Sequence, residues 1–300
     1  MVRLTGFFFM IIDGRAIAQT IQMRIQERIK SLVGRPPCLA VILVGNHPAS
    51  RIYVTRKTQA CQSVGIQSYL IEYPSQIEEQ ELLNAINNLN ENEDVDGILV
   101  QLPLPEHISP SRIVHAVSPQ KDVDGFHPMN IGKLLLGEID GFTPCTPLGI
   151  QTMLTLSGVS IPGKHVVIIG RSAIVGKPLA ALLMQNTPQG NATVTVAHSQ
   201  TRNLAEISRM ADILVVATGL PEWITADLIK EEAVVVDVGI NQIMDKASKS
   251  GFRLVGDVNF SDVVSKCSLI TPVPGGVGPM TIAMLLQNTL LSYSKRFSLS

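Results

Sequence analysis

Paired cysteines are missing from this 300-residue chain. Its four, Cys38, Cys61, Cys145 and Cys267, are scattered and form no CxxC motif. That excludes a disulfide framework read from spacing and fits reduced thiols in a cytoplasmic protein. The six histidines show no HExxH or similar ligand spacing, so no metal site is expected. Charge is scarce as well. Only 16% of residues are charged, the net charge is -1, and no long basic or acidic block occurs. A nucleic-acid footprint is thereby excluded, and small anionic ligands must be held by local groups. The Phe-rich string at residues 7–12 is too short to span a bilayer. Asp13-Gly14-Arg15 follows at once with no small-residue cleavage site, so the string reads as a first strand rather than a signal peptide. No membrane segment is expected elsewhere.

What is present is apolar. Hydrophobic residues make up 45% of the chain, enough to build substantial cores in two domains. Ile17, Ile21, Ile25 and Ile29 form one helical stripe. Residues 39–44 are a continuous apolar run, the mark of a buried parallel strand. A helix over 50–65, with Ser50 as its N-cap and Gly65 as its stop, precedes a strand at 68–73. A helix at 76–89 and a strand at 97–102 follow. This alternation predicts a parallel sheet with helices on its faces. A short helix near 112–117 leads into a Gly- and Pro-rich passage that ends near residue 147. A linking helix over 148–156 opens a second α/β unit, with strands at 165–169, 192–197, 213–217 and 233–238. Residues 256–258 and 268–271 are short segments. A helix over 279–291, with Pro at its start, closes the chain and returns to the first unit.

The loop Gly170-Arg171-Ser172-Ala-Ile-Val-Gly176-Lys-Pro178 lies between a strand and a helix. A dinucleotide fold places its glycine turn there, so that backbone N–H groups meet a pyrophosphate. Ser172 replaces the second glycine of the fingerprint and Gly176 falls one residue late. A tight turn without a ligand is the other reading. An NAD site usually ends its second strand in an acid for the ribose. Here that strand runs into His198-Ser199-Gln200-Thr201-Arg202, without one. Arg171 plus a hydroxyl suits a 2′-phosphate, hence NADP. Glycine-ended strands at Ala217-Thr218-Gly219 and Val238-Gly239-Ile240-Asn241 would let a cofactor approach the backbone. The expected architecture is α/β in two domains. A parallel-sheet catalytic domain takes residues 1–147 plus 279–300, and a Rossmann-type NADP-binding domain takes 148–278, with a cleft between them.

Polar residues stand out against the apolar background. Tyr53 and Lys57 are four apart, on one helix face just past the carboxyl end of a strand, where open α/β sheets bind ligands. A solvated lysine beside a half-buried ring is the plainer account. Gln101 lies in an apolar strand and needs a partner, either loop backbone or an amine. Asp122 and Asp124 flank Val123 in what is either a solvated turn or a carboxylate acceptor for an amidine-like edge. Thr271-Pro-Val-Pro-Gly-Gly-Val-Gly-Pro-Met280 is a shaped loop at the mouth of the last helix, suited to binding.

Several of these passages together resemble one family. They are Pro48-Ala-Ser-Arg-Ile-Tyr-Val-Thr-Arg-Lys57, Asp96-Gly-Ile-Leu-Val-Gln-Leu-Pro-Leu-Pro105, Lys121-Asp-Val-Asp-Gly-Phe-His-Pro128, Pro144-Cys-Thr-Pro147, Gly170-Arg-Ser172 and residues 271–281. Nearly the whole chain is similar to the bifunctional methylenetetrahydrofolate dehydrogenase/methenyltetrahydrofolate cyclohydrolases of one-carbon metabolism. The resemblance implies two steps. N5,N10-methylenetetrahydrofolate gives a hydride to NADP, and the resulting methenyl cation is hydrolysed to 10-formyltetrahydrofolate. It implies that Lys57 is the catalytic lysine, that Tyr53 packs against the folate, that Gln101 bonds the lysine and that Asp124 anchors the pterin. It assigns Gly170, Arg171, Ser172, Ser199 and Ile240 to the cofactor, and Pro272, Gly275 and Gly276 to the mouth of the folate site. Beside a cationic substrate a charged amine is disfavoured, so Lys57 is expected to work as base toward water and then as acid at the leaving nitrogen. A homodimer formed through the nucleotide domain is also implied. The chain departs from the family pattern at Asn46-His47 and at residues 186–191. Other readings are a dehydrogenase lacking the hydrolytic step, a non-catalytic folate- or nucleotide-binding module, and an unrelated dehydrogenase of the shikimate type.

Overall fold

The computed structural model describes residues 2–4, 7–245, 248 and 251–297, with backbone alone for those up to residue 10. Residues 298–300, at the end of the expected catalytic domain, lie outside the described residues. Two short strands, β1 (Val2–Leu4) and β2 (Phe7–Ile11), pair antiparallel where one strand was expected. Helix α1 (Gly14–Lys30) buries Ala18, Ile21 and Ile25. Strand β3 (Cys38–Val44) is buried at every residue, as a central strand covered on both faces must be.

Helix α2 (Pro48–Val64) begins two residues ahead of the expected cap. Ser50 is buried inside it. His47 stands at the N-cap without a side-chain bond, and Pro48 starts the first turn, where its missing N–H costs nothing. The other end follows the sequence. Gly65 adopts φ 88° and sends its N–H to Gln62 O. Then come β4 (Gln67–Tyr73), α3 (Glu79–Glu91) and β5 (Gly97–Val100). They complete a three-stranded parallel sheet of order β4-β3-β5. Its core is Ile42, Leu82, Ile86, Ile98 and Ile113 with their neighbours. Helices α4 (Pro110–Ala116) and α5 (Pro128–Leu136) follow. The second occupies the passage read as a Gly- and Pro-rich loop. Pro128 opens that helix and Gly137, at φ 77°, closes it, so the supposed loop residues are helix punctuation.

After α6 (Cys145–Leu156) the chain alternates through β6 (His165–Ile169), α7 (Gly176–Leu183), β7 (Thr193–Ala197), α8 (Leu204–Ser208), β8 (Ile213–Val216) and β9 (Ala233–Asp237). A hairpin of β10 (Asn241–Met244) and β11 (Phe252–Val255) stands apart as its own sheet. Helix α9 (Phe260–Val263), β12 (Cys267–Ile270) and α10 (Val277–Arg296) end the fold. The seven-stranded sheet has the order β1-β2-β12-β9-β8-β6-β7, parallel except for β1.

Two compact units result. Among the described residues, the three-stranded unit holds 19–145 and 282–297, and the seven-stranded unit holds those up to 18 and those within 146–281. The described residues up to 18 therefore lie with the seven-stranded unit, not with residues 19–145 as the sequence reading had it. The cause is β2, which adds to β12 with Ile11 opposite Ile270. Helix α10 starts in one unit and ends in the other.

Candidate active site

The helix α2 that carries Tyr53 and Lys57 starts just beyond the carboxyl end of β3. Lys57 is buried at 8% exposure. Its Nζ donates to Gln101 Oε1 at 3.0 Å. Gln101 lies immediately after β5, its N–H continuing the ladder to Ile42 O. Its own Nε2 donates to Leu102 O at 2.6 Å. An ammonium only donates and a carbonyl only accepts, so one amide orientation satisfies both contacts. Tyr53 stands one turn upstream of Lys57, half-buried, and burial pushes its phenol up.

The two aspartates of the Asp-Val-Asp turn divide the work. Asp122 is buried and accepts from Phe126 N (3.2 Å), His127 N (2.7 Å) and Asn130 Nδ2 (2.8 Å). It ties the turn to the start of α5. Burial raises its carboxyl to about 6 even against those hydrogen bonds. Val123 O is held from the other side by Asn288 Nδ2 at 2.9 Å. Asp124 is half-buried, near enough to Lys57 to feel its charge, and is hydrogen-bonded with Cys145. Burial raises its carboxyl, and the Lys57 ammonium opposes that rise. A buried amine, a fixed amide, a ring and a carboxylate thus gather in the three-stranded unit. They can move a proton and hold a flat, hydrogen-bonding ligand edge.

In the seven-stranded unit the loop between β6 and α7 is tightly wound. Gly170 has φ 132°. A Cβ on Gly176 would lie 2.0 Å from Gly170 O, so backbone passes where a side chain would be. Ser172, in place of a fingerprint glycine, uses its hydroxyl to accept from Val175 N at 3.1 Å, next to the first turn of α7. The loop fits a pyrophosphate cradle at a helix start. Arg171 and Ser199 are exposed, as is Ile240. Strand β7 ends at Ala197 with no acid in the next five residues.

Pro272, Gly275 and Gly276 also belong to the seven-stranded unit, where Arg15 N donates to Gly275 O at 3.0 Å. Sequence reasoning missed two buried carboxylates there. Asp237, the last residue of β9, accepts from Gly239, Asp257 and Val258 N–H groups, each at 2.9 Å. Asp257 accepts from Thr218 N (2.6 Å), Gly219 N (2.9 Å) and Asn241 Nδ2 (2.8 Å). Burial raises Asp237 to about 6. The signal in the sequence was a single acid in each of two apolar contexts, Val236-Asp237-Val238 and Gly256-Asp257-Val258. Among the described residues no cluster of potential metal ligands occurs.

Comparison with known proteins agrees with this division of labour. Residues 12–124 match the model of the tetrahydrofolate dehydrogenase/cyclohydrolase catalytic domain, and residues 144–297 match that of the tetrahydrofolate dehydrogenase/cyclohydrolase NAD(P)-binding domain. The bifunctional protein FolD of Protochlamydia amoebophila is 60% identical, covering 97% of this chain and all of that one. The bifunctional protein FolD of Aquifex aeolicus is 50% identical over 96% of this chain and 97% of its own length. Among solved structures, the FolD methylenetetrahydrofolate dehydrogenase/cyclohydrolase of Campylobacter jejuni superposes with a TM-score of 0.90 at 48% identity, covering 95% of this chain and 99% of that one. The Trypanosoma brucei dehydrogenase-cyclohydrolase, solved with NADP cofactor and inhibitor, reaches a TM-score of 0.90 at 39% identity, covering 96% and 98%. With both domain models matched in order and relatives aligned end to end, the chain belongs to the tetrahydrofolate dehydrogenase/cyclohydrolase family.

Proposed function

We propose that this chain oxidises N5,N10-methylenetetrahydrofolate with NADP and then hydrolyses the methenyl product to 10-formyltetrahydrofolate. The observation that carries the reading is the buried Lys57 bonded to Gln101, with Tyr53 and Asp124 around it. Dehydrogenation alone needs positioning and a hydride acceptor. Hydrolysis needs a group that takes a proton from water and returns one to nitrogen. Lys57 is that group in this site.

Bound NADP supplies the hydride acceptor. Gly170, Arg171, Ser172, Ser199 and Ile240 are its proposed contacts, with Arg171 directed to the 2′-phosphate. Tyr53 stacks on the folate and Asp124 accepts N–H bonds from the pterin edge. Pro272, Gly275 and Gly276 border the folate. Once the hydride has left, Lys57 takes the proton of the water that attacks the methenyl carbon. It then protonates N5 as the carbon–N5 bond breaks and the hydroxyl on that carbon gives its proton to solvent to become the formyl carbonyl, while Gln101 keeps the amine pointed at the reacting atoms.

A homodimer formed through the seven-stranded unit is part of the same reading. Exposed Met244 and Leu254 on the β10–β11 hairpin support it. A cytoplasmic location fits four free thiols. Among the described residues no helix is long and apolar enough to cross a membrane.

The test follows NADP reduction on addition of methylenetetrahydrofolate, then decay of the methenyl absorbance. Reduction with methenyl decay no faster than in buffer would leave a dehydrogenase only. Binding of either ligand without turnover would leave a binding module.

A further inference from the structure

A cavity of about 370 Å³ opens in the three-stranded unit, away from Gln101. It is lined by Asp96, the residue just before β5, whereas Gln101 is the residue just after it. Five extended residues put about 16 Å between them. Val95, Pro119, Met129 and Phe142 give it an apolar wall. Four cations surround it: Lys121, Lys133, Lys295 and Arg296.

The lining carries two acids against those four cations, and both are already matched. Asp96 is fully buried and bonded to the Arg35 guanidinium at 2.7 and 2.8 Å. Asp140 pairs with Lys133 at 2.5 Å. Lys121 donates only to uncharged oxygens, Leu89 O at 2.9 Å and Asn92 O at 2.7 Å. Lys295 donates to Asp140 O and sits 4.7 Å from the Phe142 ring centre. Arg296 comes no nearer than 3.9 Å to Asp96 and Glu93. Carbonyl oxygens orient an ammonium without cancelling its charge, so Lys121 and Lys295 bring positive charge into one apolar-walled space, with the loosely paired Arg296 beside them. Burial disfavours the charged forms of Lys121 and Lys295, a cost that a bound anion relieves.

We propose that this cavity binds a small organic anion with a flat apolar body. The body lies against Phe142, Met129 and Pro119, and the anionic head meets Lys121, Lys295 and Arg296. The volume is at the small end of the range for organic ligands. None of the proposed folate or NADP contacts lines it, so occupancy is compatible with both.

The experiment titrates 1-anilinonaphthalene-8-sulfonate into the protein saturated with NADP and a folate analogue, reading dye fluorescence. One equivalent should bind. The uncharged N-phenyl-1-naphthylamine should bind about tenfold more weakly or worse, because it lacks the charge-assisted head-group contacts. Lys121→Gln with Lys295→Gln should weaken the sulfonate by a similar factor while dehydrogenase activity persists as evidence of folding. Met129→Glu, on an exposed position, should weaken it too by repulsion. Equal affinity for the two dyes, unchanged affinity in Met129→Glu, or displacement by NADP or the folate analogue would each overturn the proposal.

Discussion

Lys57 Nζ and Gln101 Oε1 meet at 3.0 Å although 44 residues separate them in the chain. The amide is itself fixed by its bond to Leu102 O. Replacing Gln101 by Met keeps the side chain's length but leaves the buried amine without its acceptor. A hydrogen bond to a charged group is worth about 1.5–3 kcal/mol, so methenyl hydrolysis should fall about 10- to 100-fold. Steady-state rates with a folding check by circular dichroism would show it.

Lys57→Met removes the proton carrier while keeping an apolar stem in the buried site. General acid–base catalysis contributes about 10²–10⁴-fold, and hydrolysis should fall by that order. Hydride transfer should fall less, since NADP does that chemistry. A folded Lys57→Met protein that hydrolyses the methenyl compound at the full rate would refute the role given to this residue.

Arg171 is exposed at the tip of the β6–α7 loop. If it meets the 2′-phosphate, Arg171→Ala should weaken NADP by about tenfold or more and leave NAD nearly unchanged. Parallel titrations of both nucleotides decide this, and equal losses would reassign the residue.

Gly176→Ala would set a methyl group 2.0 Å from Gly170 O, with Gly170 C at 2.7 Å and Arg171 Cα at 3.0 Å, so the backbone there leaves it no room. The variant should lose nucleotide binding, with stability lower by about 3 kcal/mol or more. Thermal melts with and without NADP separate the two effects, because the stabilisation by NADP should vanish.

Asp122 gives a pH signature. Its folded carboxyl is raised from 3.8 to about 6 by burial. A raised acid holds its proton longer in the folded state, so its contribution to stability is full below about 3.8. It is lost as pH rises to about 6, and is flat beyond. The displacement corresponds to about 3 kcal/mol across that window. Asp122→Asn should lack this fall while retaining the one due to Asp237. Denaturant titrations of both proteins from acid to neutral pH would check it, and parallel profiles would count against the assignment.

The α/β alternation was legible because it is local. A buried run such as residues 39–44, or a glycine stop such as Gly65, announces itself within a few residues. What escaped depends on partners far away in the chain. Nothing within residues 7–11 indicates that they pair with residues 267–270 across some 260 positions of sequence. Helix α5 was hidden because its Pro128 and Gly137 are the same residues that mark loops. In the candidate site, the Tyr53–Lys57 face could be read from spacing, and its link to Gln101 came from family resemblance. Asp237 and Asp257 were silent, since their role is to bind backbone that only the folded chain brings near.

If the glycine-ended strands border the dinucleotide as proposed, those two carboxylates also bear on the thermodynamics of its capture. They already hold the N–H groups of Thr218, Gly219 and Gly239 before any dinucleotide arrives. Ordering a loose residue would cost about 1–2 kcal/mol in backbone entropy. Where the loop is already fixed that loss was met when the chain folded, so dinucleotide binding should show little entropic penalty from the backbone.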